Sequence, residues 1–274
     1  MIPTVLPTGP QPVTAETWLI PTLALDPTAG AYVGAHSLVI RGAEPMIVDT
    51  SSSLVRDAWA AQVFSLVDPD DVRWVFLSHD DHDHIGNLEL VMDSCPNATL
   101  VASFSIVGRL AGNVELPLDR MRWLDAGGTL DAGDRTFSLV RPPMFDSPTT
   151  RALHDSATNL MWAADSFGAL FPSAVYEAAD IPADLYDASF TLLNTWNTPW
   201  IEWVDVERFT AHVEQSRSFG PDVVVSAHGP ILRGAQIDDA FRRTLALAAQ
   251  PVAPTPGQET LDQLLALFAA APAA

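Results

Sequence analysis

Short apolar runs recur along the first half of the chain and are separated by longer stretches with helical spacing. SLVI (37–40), PMIVDT (45–50), VRWVFLS (72–78) and ATLVAS (98–103) read as strands. LVRDAWAAQVFSLV (54–67) and IGNLELVMDSC (85–95) lie between them and predict helices. In the second of these, Ile85, Leu88, Val91, Met92 and Cys95 recur at helical spacing. The second half repeats the pattern. TFSLV (136–140), LMWAAD (160–165) and DVVVSAH (222–228) read as strands, with helices near 205–218 and 236–249. Strands alternating with helices imply an α/β architecture whose helices pack on the sheet faces. LLNTWNTPWIEW (192–203) reads as irregular and gathers Trp196, Trp200 and Trp203, suited to roof a pocket, form a dimer contact or fill a core. The pattern changes at residue 248. A single domain is expected over 1–247, followed over 248–274 by a proline- and alanine-rich connector. That connector ends in the amphipathic segment LDQLLALF, able to dock on the body or on a second subunit.

Composition narrows this picture. A chain of 274 residues with 48% hydrophobic content is that of a soluble globular protein. The N-terminal stretch MIPTVLPTGPQPVTAETW has no basic start and no apolar core, and no apolar run approaches the ~20 residues of a membrane span. A cytoplasmic protein is the default expectation. One cysteine, Cys95, excludes an intramolecular disulfide and a multi-cysteine zinc site, and is expected as a buried thiol on a helix face. The net charge of −20, with arginine as the sole basic residue type, would repel a phosphate backbone, which argues against nucleic-acid partners.

Candidate chemistry collects at the ends of the strands. VRWVFLS leads into His79, LMWAA into Asp165, VVVSA into His228 and MIV into Asp49, and the loop after TFSLVRPPMF supplies Asp146. Side chains carried at strand ends on a rigid sheet are how α/β proteins build sites. The stretch SHDDHDHIGNL (78–88) holds six consecutive histidines and aspartates. A tight loop turning into a helix can direct alternate residues to one side, so that His79 and Asp81 share one metal while Asp83 and His84 face a second. Histidine with carboxylate suits zinc, iron or manganese, and the excess of carboxylate favours the harder metals.

The run His79-Asp80-Asp81-His82-Asp83-His84-Ile85-Gly86 resembles the His-x-His-x-Asp-His motif of the metallo-β-lactamase superfamily, and the resemblance extends over about residues 15 to 245. VDT (48–50) is similar to that superfamily's early strand, whose aspartate (here Asp49) orients a metal-bound histidine. DSFG (165–168) resembles the segment with the bridging aspartate, and SAHGP (226–230) resembles the last histidine loop. The resemblance implies a four-layer αββα sandwich, two mixed sheets with outer helices, around two metal ions.

Asp81 stands where hydrolases of the superfamily carry histidine. A carboxylate there, together with NLMWAADSFGALF (159–171) and AHGPI (227–231), resembles the flavodiiron proteins and the stand-alone oxygen-binding di-iron proteins. One departure is plain. In PPMFDSPTT (142–150), Asp146 occupies the family's histidine position, and His154 follows eight residues later as a poor substitute. The implied ligand set is therefore His79, Asp81, Asp83, His84, Asp146, Asp165 and His228, with His82 as a candidate proton donor. Four carboxylates balance two divalent ions, which makes a weaker Lewis acid than a histidine-rich zinc site and suits iron and oxygen chemistry. The expected function is to bind, sense or reduce dioxygen or a similar diatomic. No flavin motif is seen in this chain, so electrons would come from a separate donor protein, and a homodimer is an open expectation. The alternative is a zinc- or manganese-dependent hydrolase of an ester, thioester or lactone, and a third reading is a metal-stabilised module without catalysis. His36 and His212 carry no partner pattern and are expected to be structural, while His154 is a candidate for the pocket lining.

Overall fold

The structure is a computed structural model that describes residues 4–270; the first three residues of the N-terminal stretch and the last four of the C-terminal segment lie outside it. In chain order the strands are β1 (Gln11–Pro12), β2 (Thr17–Ile20), β3 (Leu23–Asp26), β4 (Ala31–Gly34), β5 (Ser37–Ile40), β6 (Met46–Val48), β7 (Trp74–Phe76), β8 (Thr99–Ala102), β9 (Met121–Trp123), β10 (Thr129–Asp131), β11 (Thr136–Val140), β12 (Ala152–Asp155), β13 (Leu160–Trp162), β14 (Val223–Val225) and β15 (Leu232–Arg233). The helices are α1 (Arg56–Phe64), α2 (His82–Ile85), α3 (Leu88–Ser94), α4 (Phe104–Leu110), α5 (Ala183–Asn197), α6 (Val206–Arg217), α7 (Ala235–Ala246) and α8 (Gln258–Ala270).

Two mixed sheets form. The first runs β1-β2-β5-β6-β7-β8-β9 and the second β10-β11-β12-β13-β14-β15, with β3 and β4 as a separate ribbon. The strands are nearly continuous in apolar residues because both faces are covered. In β6, Met46 and Val48 point between the sheets while Ile47 points out to the helices, and β5 divides Leu38 and Ile40 from Val39 in the same way. The second sheet answers with Leu160 and Trp162 of β13 and Val223 and Val225 of β14 on the inner face. Met161 and Val224 turn outward onto Phe190 of α5, Phe209 of α6 and Phe241 of α7. On the opposite flank α1, α3 and α4 cover the first sheet through Trp59, Val91 and Ile106. The result is the expected αββα sandwich, with three apolar layers between four layers of secondary structure.

The first half follows the sequence expectation closely: SLVI is β5, and the two expected helices appear as α1 and α3. Cys95 is fully buried against α3, where burial pushes its thiol up to about 11. The segment 192–203 differs from expectation. Trp196 lies on α5, and Pro199–Trp203 forms a 3-10 turn, so only Thr198 breaks the helical backbone. Beyond α7 the connector is held by Trp196, whose Nε1 donates to the carbonyls of Ala253 (3.2 Å) and Pro254 (3.1 Å). On α8, Leu261, Leu265 and Leu267 are exposed in the single chain. No helix among the described residues is long and apolar enough to cross a membrane.

A buried cation ties the sheets at their far end. Arg135, between β10 and β11, is fully buried and bonds to Asp134 (2.9 Å), to Asp155 of β12 (3.0 Å) and to Glu16 at the entrance to β2. Asp155 is itself buried but keeps two local donors, the Ala157 N–H and the Thr158 hydroxyl. Removing one partner of such a pair leaves an uncompensated buried charge, which costs about 3–5 kcal/mol. Arg135→Met is therefore expected to lower unfolding stability by about that amount in urea titrations. Its metal content should equal that of the parent, because this cluster is remote from the histidines.

Candidate metal centre

The parallel strands end at one place. Asp49 follows β6, His79 follows β7, Asp165 follows β13 and His228 follows β14, which is the end of an open α/β sheet where ligands bind. The loops that leave these strands are strained: Asp49 (φ 56°), Ser51 (φ 53°), Ala164 (φ 50°) and Phe167 (φ 68°) are non-glycine residues in the left-handed region. Strain of this kind costs about 1–3 kcal/mol per residue and persists where the surroundings over-determine the backbone. Two glycines allow the loops to meet. A Cβ at Gly86 would sit 2.3 Å from the Ser53 nitrogen, and one at Gly229 would sit 2.2 Å from the Phe167 oxygen.

Asp49 organises the first loop. Its fully buried carboxylate accepts bonds from the Ser78 N–H (2.7 Å), the Ser78 hydroxyl (2.6 Å), His84 Nδ1 (2.9 Å) and Trp162 Nε1 (3.2 Å). Because the Ser78 hydroxyl spends its proton on Asp49, it must accept from His79 Nδ1, 3.0 Å away. The His228 Nδ1 donates to the Gly34 carbonyl at 2.6 Å. All three imidazoles therefore hold a proton on Nδ1 and present Nε2 to the centre.

Asp165 is the meeting point. Its Oδ1 lies 3.2 Å from His84 Nε2 and 3.3 Å from His228 Nε2, and its Oδ2 lies 3.5 Å from His79 Nε2. Asp83 approaches His228 Nε2 at 3.6 Å and His84 Nε2 at 3.8 Å, while Asp81 lies 4.0 Å from His79 Nε2. Short as these contacts are, His79 Nε2, His84 Nε2 and Asp165 Oδ1 are buried without a hydrogen-bond partner. Three buried polar atoms left unpaired at one point would be costly unless a cation joined them. Ligand atoms lie within 4.8 Å of one another in three sets: His79, His84 and Asp165; Asp83, His84 and His228; and His79, Asp81 and Asp146. The seven residues expected as ligands from the sequence are thus brought together, and their donor chemistry fits a pair of metal ions.

Charge in the metal-free centre follows from burial and these contacts. Burial opposes a proton on each imidazole, but the Asp165 carboxylate outweighs it, so His79 is raised, His84 is raised well above 6.5, and His228 is raised to about 9. Asp165 responds in the opposite sense and is held well below the usual carboxylate range despite its burial, by His79, His228 and His84. Burial raises the Asp81 carboxyl and the neighbouring Asp146 adds to the rise, against the pull of His79. Asp146 itself is exposed, with Oδ1 accepting from the Thr150 hydroxyl at 3.2 Å.

The other expected residues fall elsewhere. His82 is exposed on the first turn of α2 and is not among the residues that line the centre's cavity. His154 sits on β12, bonded to Asn159 (2.8 Å) and against Phe219, away from the centre. His36 is buried between Phe171 and Tyr176, and burial, with His228 nearby, lowers it to about 3. Sequence reasoning passed over Asp80. Its carboxylate accepts from Thr149 (2.6 Å) and Ser147 (3.3 Å) and pairs with Arg109, tying the histidine loop to the Asp146 loop. A cavity of about 220 Å³ opens over the centre, lined by Asp81, Asp83, Asp146, Asp165 and His228 together with Val33, Gly168, Leu193 and Asn197. Gly168 belongs to the DSFG segment, whereas Val33, Leu193 and Asn197 had no signal in the sequence, because α5 and the β3–β4 ribbon reach the site only through tertiary packing.

A profile described as ODP family beta lactamase matches residues 34–229, the interval that contains Asp49 and all seven candidate ligands. The chain belongs to that family. It is 30% identical to the putative diflavin flavoprotein A 2 of Nostoc sp. strain PCC 7120 over 137 residues, which is 50% of this chain and 24% of that protein. Rubredoxin oxygen:oxidoreductase from Desulfovibrio gigas superposes with a TM-score of 0.75 at 15% identity over 86% of this chain and 61% of that one. A 1–254 fragment of the putative diflavin flavoprotein A 5 from Nostoc sp. PCC 7120 gives a TM-score of 0.67 at 16% identity, over 88% and 97% of the two chains. The superpositions establish the fold shared by this family member and those chains. Its matched region spans about a quarter of the curated relative's length, 24%.

Two outcomes test the centre. Replacing Asp49 by asparagine removes the charge that holds the Nδ1 protons, and such changes cost ~10–100-fold in metal affinity. Competition with a chelator should show Asp49→Asn weakened by that factor, and unchanged affinity would detach Asp49 from the site. The second concerns pH. His228 is raised from 6.5 to about 9, so its contribution to stability in the metal-free protein is complete below pH 6.5 and lost as pH rises through about 9. Metal uptake must displace that proton and should strengthen across the same interval. Denaturation of metal-free and metal-loaded protein at pH 6.5 and 9 should show opposite trends.

Proposed function

We propose that this chain holds two metal ions, iron in the native protein, and that it binds, senses or reduces dioxygen or a similar diatomic with electrons from a separate donor. The observation that carries the reading is the two-sided contact of Asp165, with one oxygen toward His84 and His228 and the other toward His79. A carboxylate so placed suits a bridge. His79, Asp81 and Asp146 would hold one ion, and Asp83, His84 and His228 the other. Similar proteins named rubredoxin oxygen:oxidoreductase and anaerobic nitric oxide reductase flavorubredoxin support a diatomic substrate class.

Iron in this position would supply electrons one at a time and an open coordination position. The chain's own residues do the rest. Asp49, Ser78 and the Gly34 carbonyl hold the imidazoles in the tautomer that presents a lone pair. Asp81, Asp83, Asp146 and Asp165 match the charge of two divalent ions, which favours the ferric state over the strongly Lewis-acidic centre that ester hydrolysis needs. Val33 and Leu193 wall a cavity of about 220 Å³, smaller than the roughly 300–1,000 Å³ of sites for drug-sized ligands. That volume fits a diatomic better than a lactone or thioester.

Protein purified without oxygen from its native host should contain two irons per chain and develop an oxygen-dependent absorption band. Stoichiometric zinc without iron, or turnover of an ester or lactone panel, would replace this reading with the hydrolase one. Asp165→Ala should lose most of the bound metal, because a bridge serves both ions. Asp146→Ala should lose one ion preferentially, and Asp146→His should retain two. At limiting metal, an Asp146→Ala content equal to that of the parent would show that this carboxylate is no ligand.

A further inference from the structure

A second cavity, of about 550 Å³, opens between the Asp146 loop and α6, and no part of the metal centre lines it. Its wall is aromatic. Phe145 and Trp200 pack with centroids 4.9 Å apart and an interplanar angle of 38°, Phe209 meets Trp200 at 6.0 Å, and His212 meets Phe145 edge-on at 5.8 Å. Hydrogen bonds fix these rings in place: Trp200 Nε1 donates to the Phe145 carbonyl (2.7 Å), and His212 Nε2 donates to the Pro142 carbonyl (3.0 Å). Trp203, 79% exposed, completes the lining. Of the three tryptophans singled out in the sequence, Trp200 and Trp203 line this cleft and Trp196 holds the connector, and none lines the cavity over the metal centre.

Two guanidinium groups, Arg141 and Arg208, line the cavity; among the described residues neither forms an ion pair, and the nearest acid acting on Arg141 is Asp125, at longer range. Arg141 lies 4.9 Å over the Phe145 ring and gives Nη1 to the Pro148 and Thr150 carbonyls. Asp205 is the acid in the lining, and its carboxylate caps α6 by accepting the Arg208 N–H at 2.9 Å. In a chain of net charge −20, an aromatic cleft lined by two cations and one acid, itself engaged as a helix cap, is a place suited to an anion. Polyanions are strongly repelled at long range, whereas a small ligand with one or two charges is repelled far less, and salt screens what remains. A cavity of this volume is also of small-molecule size and does not suit the flat face of a partner protein.

We propose that this cleft binds a planar aromatic ring carrying one anionic group, a carboxylate or a phosphate, with the ring on Trp200 and Trp203 and the anion on Arg141 and Arg208. The site stands apart from the metals, so its binding does not require the reading of the centre given above.

Calorimetry on the full chain at low ionic strength, with and without loaded metal, tests this. The probes are adenosine 5′-monophosphate and 2-naphthoate, with adenosine and inorganic phosphate as partial ligands, and the tighter of the first two identifies the anion class. Arg208→Gln and Trp203→Ala change exposed side chains and leave the fold intact. Each should weaken the tighter probe by about tenfold or more, the scale of one charge-assisted hydrogen bond or one stacked ring. Metal removal should leave binding unchanged. The proposal is overturned if neither aromatic anion binds saturably, if inorganic phosphate binds as tightly as the nucleotide, or if both variants bind like the parent.

Discussion

One buried carboxylate carries the architecture of the centre. Asp49 accepts four hydrogen bonds, from groups that follow β7, from α2 and from β13 on the other sheet. A carboxylate without exposure is tolerated only when its oxygens are fully used, and here they are used to orient others. Through the Ser78 hydroxyl it sets the tautomer of His79, and directly it sets that of His84. Through Trp162 it locks the spacing between the two sheets at the end where the strands deliver their ligands. The left-handed backbone at Asp49 and Ser51 is sustained by this bonding, which also includes the Gly86 N–H on the Ser51 carbonyl at 2.8 Å.

From that constraint the placement of the remaining groups follows. β6 and β7 are parallel neighbours in one sheet, and β13 and β14 are parallel neighbours in the other. Four strand ends therefore open on one edge of the sandwich, and the loops beyond them need only a few residues to converge. Asp165 enters from the second sheet between imidazoles that belong to both halves of the chain. Asp165 keeps its negative charge among the three imidazoles, while its Oδ1 and the Nε2 atoms of His79 and His84 have no hydrogen-bond partner.

Much of this was legible in the sequence because it is local. The spacing in 79–84, the acid or histidine at each strand end and the alternation of apolar runs follow from short-range periodicity and foretold an α/β fold with a metal site. The four-layer sandwich and the full set of seven side chains came from the resemblance that those motifs carry. What escaped was long-range. β12 reads as polar because His154 and Asp155 are paired to neighbours only after folding, by Asn159 and Arg135. The helical course of α5 was hidden by Thr195, Asn197 and Thr198, polar residues that lower helix propensity. Tertiary packing overrides them, since Asn194 bonds to the Gly168 carbonyl and to the Phe167 N–H. Asp80 carried no reading in the sequence, because its partners, Thr149 of the Asp146 loop and Arg109 of α4, are brought to it only by folding.

The Asp146 loop shows how one segment can serve two neighbours. Its carboxylate sits beside His79 and Asp81, while the preceding residue, Phe145, turns its ring into the aromatic cleft and its carbonyl onto Trp200. The loop is held from both sides, by Thr149 and Ser147 on Asp80 and by Arg141 on the Pro148 and Thr150 carbonyls. An aspartate is shorter than the histidine it replaces in the related pattern, so it reaches the centre only if the backbone approaches more closely. These tethers supply that approach. Because the loop is held from both sides, a ligand seated on Arg141 and Trp200 would leave Asp146 where it is, and the two cavities can be occupied independently.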